Sequence, residues 1–327
     1  MDHYIGCDLG GTNIKAGIVE LKSGSVVTSS STPTLAKEGP DAVMDRMVGL
    51  IRSLIETSGV ERSSLQGLGI SAPGVLDPER GKTLFLPNFP GKWRDIPLGR
   101  TLSDALRLPV SILNDVRAIT YGEYQFGAGR GVDRLACYAI GTGVGGGLII
   151  NGRLVLGFQG TAGELGHQTV EMDGLRCGCG NYGCLEAYAS GPAIASRAEK
   201  AVRQGLTTNL GELVNYDLNQ LSPKVVAQAA RMGDEIAQEI WTDVGRYLGT
   251  GIANVCVSVG PERVVLAGGV AEAGELLLKP IRETLQERVF VMPIEKVEVV
   301  LSSLGSDAGI LGMASWAAAK QHPIQPS

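Results

Sequence analysis

At 327 residues, with 44% hydrophobic and 19% charged side chains, the chain is long enough for two domains with sizeable cores. A formal net charge of −5, with no basic stripe, argues against nucleic acid or an anionic membrane surface as the main partner. No charged-then-apolar leader opens the sequence, and the longest uncharged run, LACYAIGTGVGGGLII (135–150), is too short and glycine-broken to span a bilayer. A cytoplasmic location is therefore expected, where thiols stay reduced.

Taken in chain order, YIGCDLGGTNIKAGIVEL (4–21) reads as strand, glycine turn, strand. In 41–59, Val43, Met47, Leu50, Ile51, Leu54 and Ile55 fall on one helical face, stopped by Gly59. LQGLGISAPG (65–74) and LPVSILND (108–115) read as buried strands ending in polar or turn residues. Near residue 134 the strand, glycine turn, strand pattern restarts, which suggests an internal duplication. Helices are predicted at 191–204, 222–232, 234–258, 273–290 despite Pro280, and 307–320, with strands at 263–270 and 296–304. Alternating strands and helices give an α/β class with a partly parallel sheet. With no linker between the halves, they are expected to pack across a cleft.

GTGVGG (141–146) satisfies the dinucleotide pattern G-x-G-x-x-G, with Glu164 18 residues later. That fingerprint needs a helix directly after the glycines, whereas GLIINGRLVLG reads as strand and turn, so a dinucleotide fold is rejected. The phosphate-loop and protein-kinase motifs are also absent. What remains is two turns, Gly10-Gly11-Thr12 and Gly141-Thr142-Gly143. Each suits a plain hairpin or a cradle whose N–H groups and hydroxyl approach phosphate; the pair at matching places favours nucleotide. Asp8 would suit a water-held Mg²⁺. Lys15 is read equally as a phosphate ligand and as a solvated strand lysine.

Asp115 ends an apolar strand, where open α/β sheets place ligands. It has two readings, a general base for an attacking hydroxyl or a helix N-cap shared with Asn114. Cys177, Cys179 and Cys184 with His167 form a Cys₃His set, the number and softness of a closed tetrahedral Zn²⁺ site. A thiol redox role would show C-x-x-C, which is missing. With four protein ligands such an ion is a brace and not a catalyst. Glu164 and Glu186 stand beside it as acceptors for a polyhydroxylated ligand. Cys7, Cys137 and Cys256 read as small core residues.

Together DLGGT (8–12), LPNFPGKW (86–93), ND (114–115), GTGVGGG (141–147), ELGH (164–167), CGCGNYGCLE (177–186) and LAGGV (266–270) resemble the ROK family of sugar kinases and sugar-responsive repressors. The resemblance covers nearly the whole chain and lies closest to the family's glucokinases. It implies an actin-like, ribonuclease-H-like ATPase fold: two α/β domains around a central cleft, divided as 1–117 plus 306–327 and 118–305, in a homodimer or homotetramer. It implies ATP with Mg²⁺ as co-substrate and one structural Zn²⁺ per chain. Asp115 would deprotonate the 6-hydroxyl of a hexose, glucose first. Gly74, Asn88, Asn114, Glu164, His167 and Glu186 would hold the sugar, with His167 also on zinc, and Gly268 and Gly269 would lie on the adenosine side. An N-acylhexosamine kinase is the nearest alternative. The family's repressors carry a helix-turn-helix ahead of the first motif, which is not expected here with that motif beginning at Asp8; a sugar-sensing regulator without a DNA-binding domain is the further alternative. Arg117 departs from the family, which often has Asn there.

Overall fold

The computed structural model describes residues 2–86, 89–90 and 93–321. The chain forms two compact units, Met1–Gly131 with Leu154–Ala162 and Ser303–Ser327, and Val132–Arg153 with Gly163–Ser302. The first opens with β1 (His3–Leu9), β2 (Asn13–Glu20), β3 (Ser25–Pro33) and α1 (Pro40–Thr57). It continues with β4 (Leu65–Ala72), the short hairpin β5 (Val75–Asp77) and β6 (Lys82–Phe85), α2 (Leu98–Leu106), β7 (Val110–Asn114) and α3 (Asp115–Phe126). Its five-stranded sheet has the order β3-β2-β1-β4-β7; β1 pairs β2 antiparallel and β4 parallel. The α1 face predicted from spacing is buried: Val43, Met47, Ile51 and Leu54 join one core with Ile5, Cys7 and Ile70.

In the second unit β8 (Leu135–Ile140), β9 (Val144–Ile150) and β10 (Arg153–Leu154) precede α4 (Glu186–Ala189), α5 (Gly191–Arg203), α6 (Leu210–Leu213), α7 (Pro223–Arg231) and α8 (Glu235–Val259). β11 (Arg263–Ala267), α9 (Glu275–Arg288) and β12 (Glu298–Leu301) follow. The sheet order is β10-β9-β8-β11-β12. Numbered within each five-stranded sheet, both read 3-2-1-4-5, with the first strand antiparallel to the second and parallel to the fourth. The restart near residue 134 is an internal structural repeat. Pro280 stays inside α9 because it is buried where α8 presents Gly245; a Cβ there would lie 2.3 Å from Pro280 Cγ.

The chain then returns to the first unit as α10 (Ala308–Gln321). Gly69 in β4 has no room for a side chain, since a Cβ would come 2.0 Å from the Met313 carbonyl oxygen, so α10 lies directly on the sheet. α10 also packs along α3, with Tyr121 edge-on to Trp316 at 5.4 Å between ring centroids. A division after Arg117 would cut α3. The structure keeps that helix whole in the first unit, which also takes in Leu154–Ala162 and resumes at Ser303. No helix among the described residues is long and apolar enough to cross a membrane.

Candidate active site

In the first unit the β1–β2 turn brings Gly10, Gly11 and Thr12 to the end of the sheet. It is closed by Gly10 N–H donating to the Asn13 carbonyl (3.0 Å) and tied to the end of β3 by Thr34 N–H to the Thr12 carbonyl (2.8 Å). Asp8 stands in register with Lys15 on β2 and Ser71 on β4. Ser71 Oγ donates to Asp8 Oδ1 at 2.6 Å. Burial raises the Asp8 pKa above the usual carboxylate range, partly opposed by the Ser71 bond and the Lys15 charge. Lys15 Nζ donates to Asp307 Oδ1 (2.8 Å) and to the Ser306 carbonyl and hydroxyl (3.1 and 3.2 Å), so its ammonium is engaged beside α10.

The cap-or-base alternative at the end of β7 separates by residue. Asn114 is the N-cap of α3: its Oδ1 accepts from Val116 N–H and Arg117 N–H at 3.1 and 3.3 Å. Its Nδ2 donates to the Gly74 carbonyl at 3.0 Å, locking the cap to the turn after β4. Asp115 is the first helical residue, half-buried, with Oδ1 accepting Val116 N–H at 2.9 Å. An aspartate there is favoured by the helix dipole as a carboxylate. Asn88 lies outside the described residues; on either side of its segment Leu86, Phe89 and Trp93 are buried.

In the second unit the matching turn, Gly141-Thr142-Gly143, is closed by Gly141 N–H to the Gly143 carbonyl (2.9 Å). The start of α5 seals it, with Gly191 N–H donating to the Gly141 carbonyl at 2.8 Å and Ser190 capping the helix. Glu186 Oε2 accepts Val144 N–H at 3.0 Å, and a Cβ on Gly143 would lie 2.4 Å from that oxygen. Only glycine lets the carboxylate reach the turn. The other oxygen, Oε1, is 3.6 Å from Cys177 Sγ. One carboxylate therefore joins the glycine turn to the cysteine cluster.

The donor atoms of His167, Cys177, Cys179 and Cys184 all lie within 4.8 Å of one another. Cys179 and Cys184 sulfurs are 3.7 Å apart, and Cys177 Sγ is 3.8 Å from His167 Nδ1. A tetrahedral zinc with Zn–S bonds of about 2.3 Å sets sulfurs roughly 3.8 Å apart, so the four residues fit that ion. The six cysteines are all free thiols. Burial pushes Cys177 up to about 12 and raises Cys184, while the Asn181 backbone N–H lowers Cys179. A bound cation would have to displace those protons. Cys7, Cys137 and Cys256 are buried away from the cluster, as expected of core residues.

Glu164 is exposed at the start of the short helix Leu165–His167. That helix is pressed on β9, where a Cβ at Gly166 would lie 1.8 Å from the Val144 carbonyl oxygen. Thr142, Arg176, Cys177, Glu186 and Ser190 line a cavity of about 340 Å³. Gly268 and Gly269 lie at the end of β11, where Ala271 N–H donates to the Gly268 carbonyl (3.0 Å). Sequence reasoning missed Ser71 and Ser190. Only the strand register and the Gly191–Gly141 bond reveal what they support.

Residues 4–320 match the ROK family. The chain belongs to the ROK family. Among its relatives is a glucokinase of Thermotoga maritima, 38% identical over 95% of this chain and 96% of that protein. The Bacillus subtilis xylose repressor is 32% identical over 96% of this chain but only 76% of the repressor. A Streptomyces griseus ROK glucokinase, solved with glucose and AMPPNP, superposes with a TM-score of 0.82 at 34% identity, covering 97% of this chain and 99% of that one. The ROK sugar kinases share the actin-like two-domain α/β fold, and this chain has it.

Proposed function

We propose that this ROK chain is an ATP-dependent hexokinase that phosphorylates the 6-hydroxyl of glucose. Asp115 Oδ accepts the hydroxyl proton as the sugar oxygen bonds to the γ-phosphorus; the bond from that phosphorus to the β,γ-bridging oxygen breaks and ADP leaves. Asn114 supports the reading because it takes the capping duty at α3, so Asp115 is not spent as the N-cap. That is the single observation that carries the assignment of the base.

Gly10 and Gly141 close their turns, leaving Gly11 and Thr12 in one unit and Thr142 and Gly143 in the other to offer N–H groups and hydroxyls to the phosphates, with Gly268 and Gly269 on the nucleoside side. Asp8 would hold, through water, a Mg²⁺ that would travel with the triphosphate and would supply charge neutralisation on its phosphoryl oxygens. Glu164, His167 and Glu186, with Gly74, Asn88 and Asn114, hold sugar hydroxyls. Cys177, Cys179, Cys184 and His167 would hold a structural Zn²⁺ whose four protein ligands would stiffen that loop. The opposite ring nitrogen of His167 is left to bond a sugar hydroxyl.

A coupled assay of ATP consumption against glucose, mannose, fructose, N-acetylglucosamine and N-acetylmannosamine tests the reading. Glucose is expected to give the highest kcat/KM. Preference for an N-acylhexosamine would move the assignment within the family, and no sugar-dependent ATP use would overturn it.

A further inference from the structure

Resting on the reading above, in which Asp115 and Glu164 serve one hexose, we propose that Arg117 is a positioning residue for sugar binding. Its side chain is buried, only 2% exposed, in the first turn of α3. This is an expensive place for a cation. The helix dipole opposes positive charge there, and burial removes the guanidinium from water. The observed compensation is specific: Nε donates to the Ala162 carbonyl at 2.9 Å and Nη2 donates to the same oxygen. Two donors of one planar fork on a single carbonyl fix direction as well as distance.

Ala162 is where the chain leaves the first unit; Gly163 begins the second and Glu164 follows. The segment that Arg117 grips is itself closed, with Ala162 N–H donating to the Leu156 carbonyl at 2.9 Å and Thr161 N–H to the Phe158 carbonyl at 3.2 Å. It also packs on the β5 hairpin, where a Cβ at Gly160 would lie 3.0 Å from Pro78 Cδ. Arg117 thus sets the departure point of the chain leading to Glu164 from the same helical turn that carries Asp115. The other buried charge of α3, Glu123, does the same at the next crossing. Its carboxylate accepts Ser303 N–H and Leu304 N–H (3.3 and 3.1 Å), where the chain re-enters the first unit. The helix bearing the base therefore holds the backbone at two crossings through buried ionic side chains, and only the Arg117 contact leads directly to a sugar ligand.

The test compares wild type, Arg117→Met and Arg117→Lys, each with and without Glu164→Gln, by KM for glucose, KM for ATP, kcat and Tm. Arg117→Met is expected to raise the glucose KM about tenfold, within the range for residues sharing one network, while the ATP KM moves by less than ~2-fold. Arg117→Lys, which keeps a single donor centre, is expected to fall between. Glu164→Gln should cost wild type several times more in glucose KM than it costs Arg117→Met. A merely structural arginine would lower Tm and the active fraction but leave the glucose KM unchanged, because KM does not depend on how much enzyme is folded. An unchanged glucose KM in both variants, or an equal cost of Glu164→Gln in both backgrounds, overturns the proposal. If wild type shows no glucose-dependent ATP use, it is the parent reading that falls, visible before any variant is made.

Discussion

The two glycine turns occupy the same place in two sheets of the same strand order, yet they are supported by different means. The turn after β1 is held by its own sheet: Asp8 meets Ser71 on the adjacent strand, and Lys15 is drawn to Asp307 beside α10. The turn after β8 is held by a carboxylate distant in sequence, that of Glu186 at the start of α4, which also faces the cysteine cluster. The two halves share a strand order and differ in what supports their turns. In the proposed mechanism the first carries the reacting carboxylate and the second carries a braced cradle.

Removing the chemistry from one half should leave the other intact. Asp115→Asn is expected to lower kcat about 10²–10⁴-fold, the usual contribution of a general base, with glucose still bound and metal content unchanged. Turnover within about tenfold of wild type would remove Asp115 as the base. Breaking the brace should do the reverse. Cys184→Ser is expected to lose the metal, measured by elemental analysis against about one zinc per wild-type chain. Its glucose affinity should fall by about 10–100-fold, the scale seen when a metal centre's support is damaged, and by more than its ATP affinity. Equal loss for both ligands would mean general unfolding of the second unit.

Glu186→Gln sharpens the comparison, because that side chain holds the turn through Val144 N–H and, in the proposed mechanism, also serves the sugar cradle. It is expected to raise KM for both ATP and glucose, each by about tenfold, the cost of a charge-assisted hydrogen bond made neutral. A change confined to glucose would show that the Val144 contact does not support the phosphate turn.

The smallest effect belongs to Asp8. Its pKa is raised in the fold by burial, so the folded state holds the proton more tightly than the unfolded chain. The stability this lends is complete below the unfolded carboxyl value of about 3.9 and is lost as pH rises through the folded pKa. Asp8→Asn is therefore expected to melt a few degrees higher than wild type near neutral pH, with the gap closing toward about pH 4, while activity falls. A lower Tm at neutral pH would show that the ionised carboxylate is stabilising in the free protein.

The elements legible in the sequence were those whose burial is periodic. α1, α5, α7, α8, α9 and α10 lie close to their predicted spans, and the apolar runs became β1, β4, β7, β8 and β11. β3 escaped notice because SVVTSSSTP is largely exposed and its serines and threonines carry no apolar alternation. α2 is short and enters behind a loop with no capping side chain. β12 is shorter than expected because Ser303 and Leu304 donate instead to the buried Glu123 of α3. At the site, the clustering of the four donor side chains was legible because they are local in sequence: three cysteines and a histidine within 18 residues, 167–184. Glu186 and Val144 are 42 residues apart, and Arg117 and Ala162 are 45 apart. Such contacts leave no local pattern, which is why Arg117 stood out only as a departure.

The most direct test of the whole reading is a crystal structure of the protein with glucose and a non-hydrolysable ATP analogue. The expected result places the sugar 6-oxygen about 2.6–3.2 Å from an Asp115 carboxylate oxygen, on the side facing the γ-phosphorus, with Glu164, His167 and Glu186 on the remaining hydroxyls. Glucose bound with its 6-oxygen beyond reach of Asp115, or away from the terminal phosphate, would contradict it.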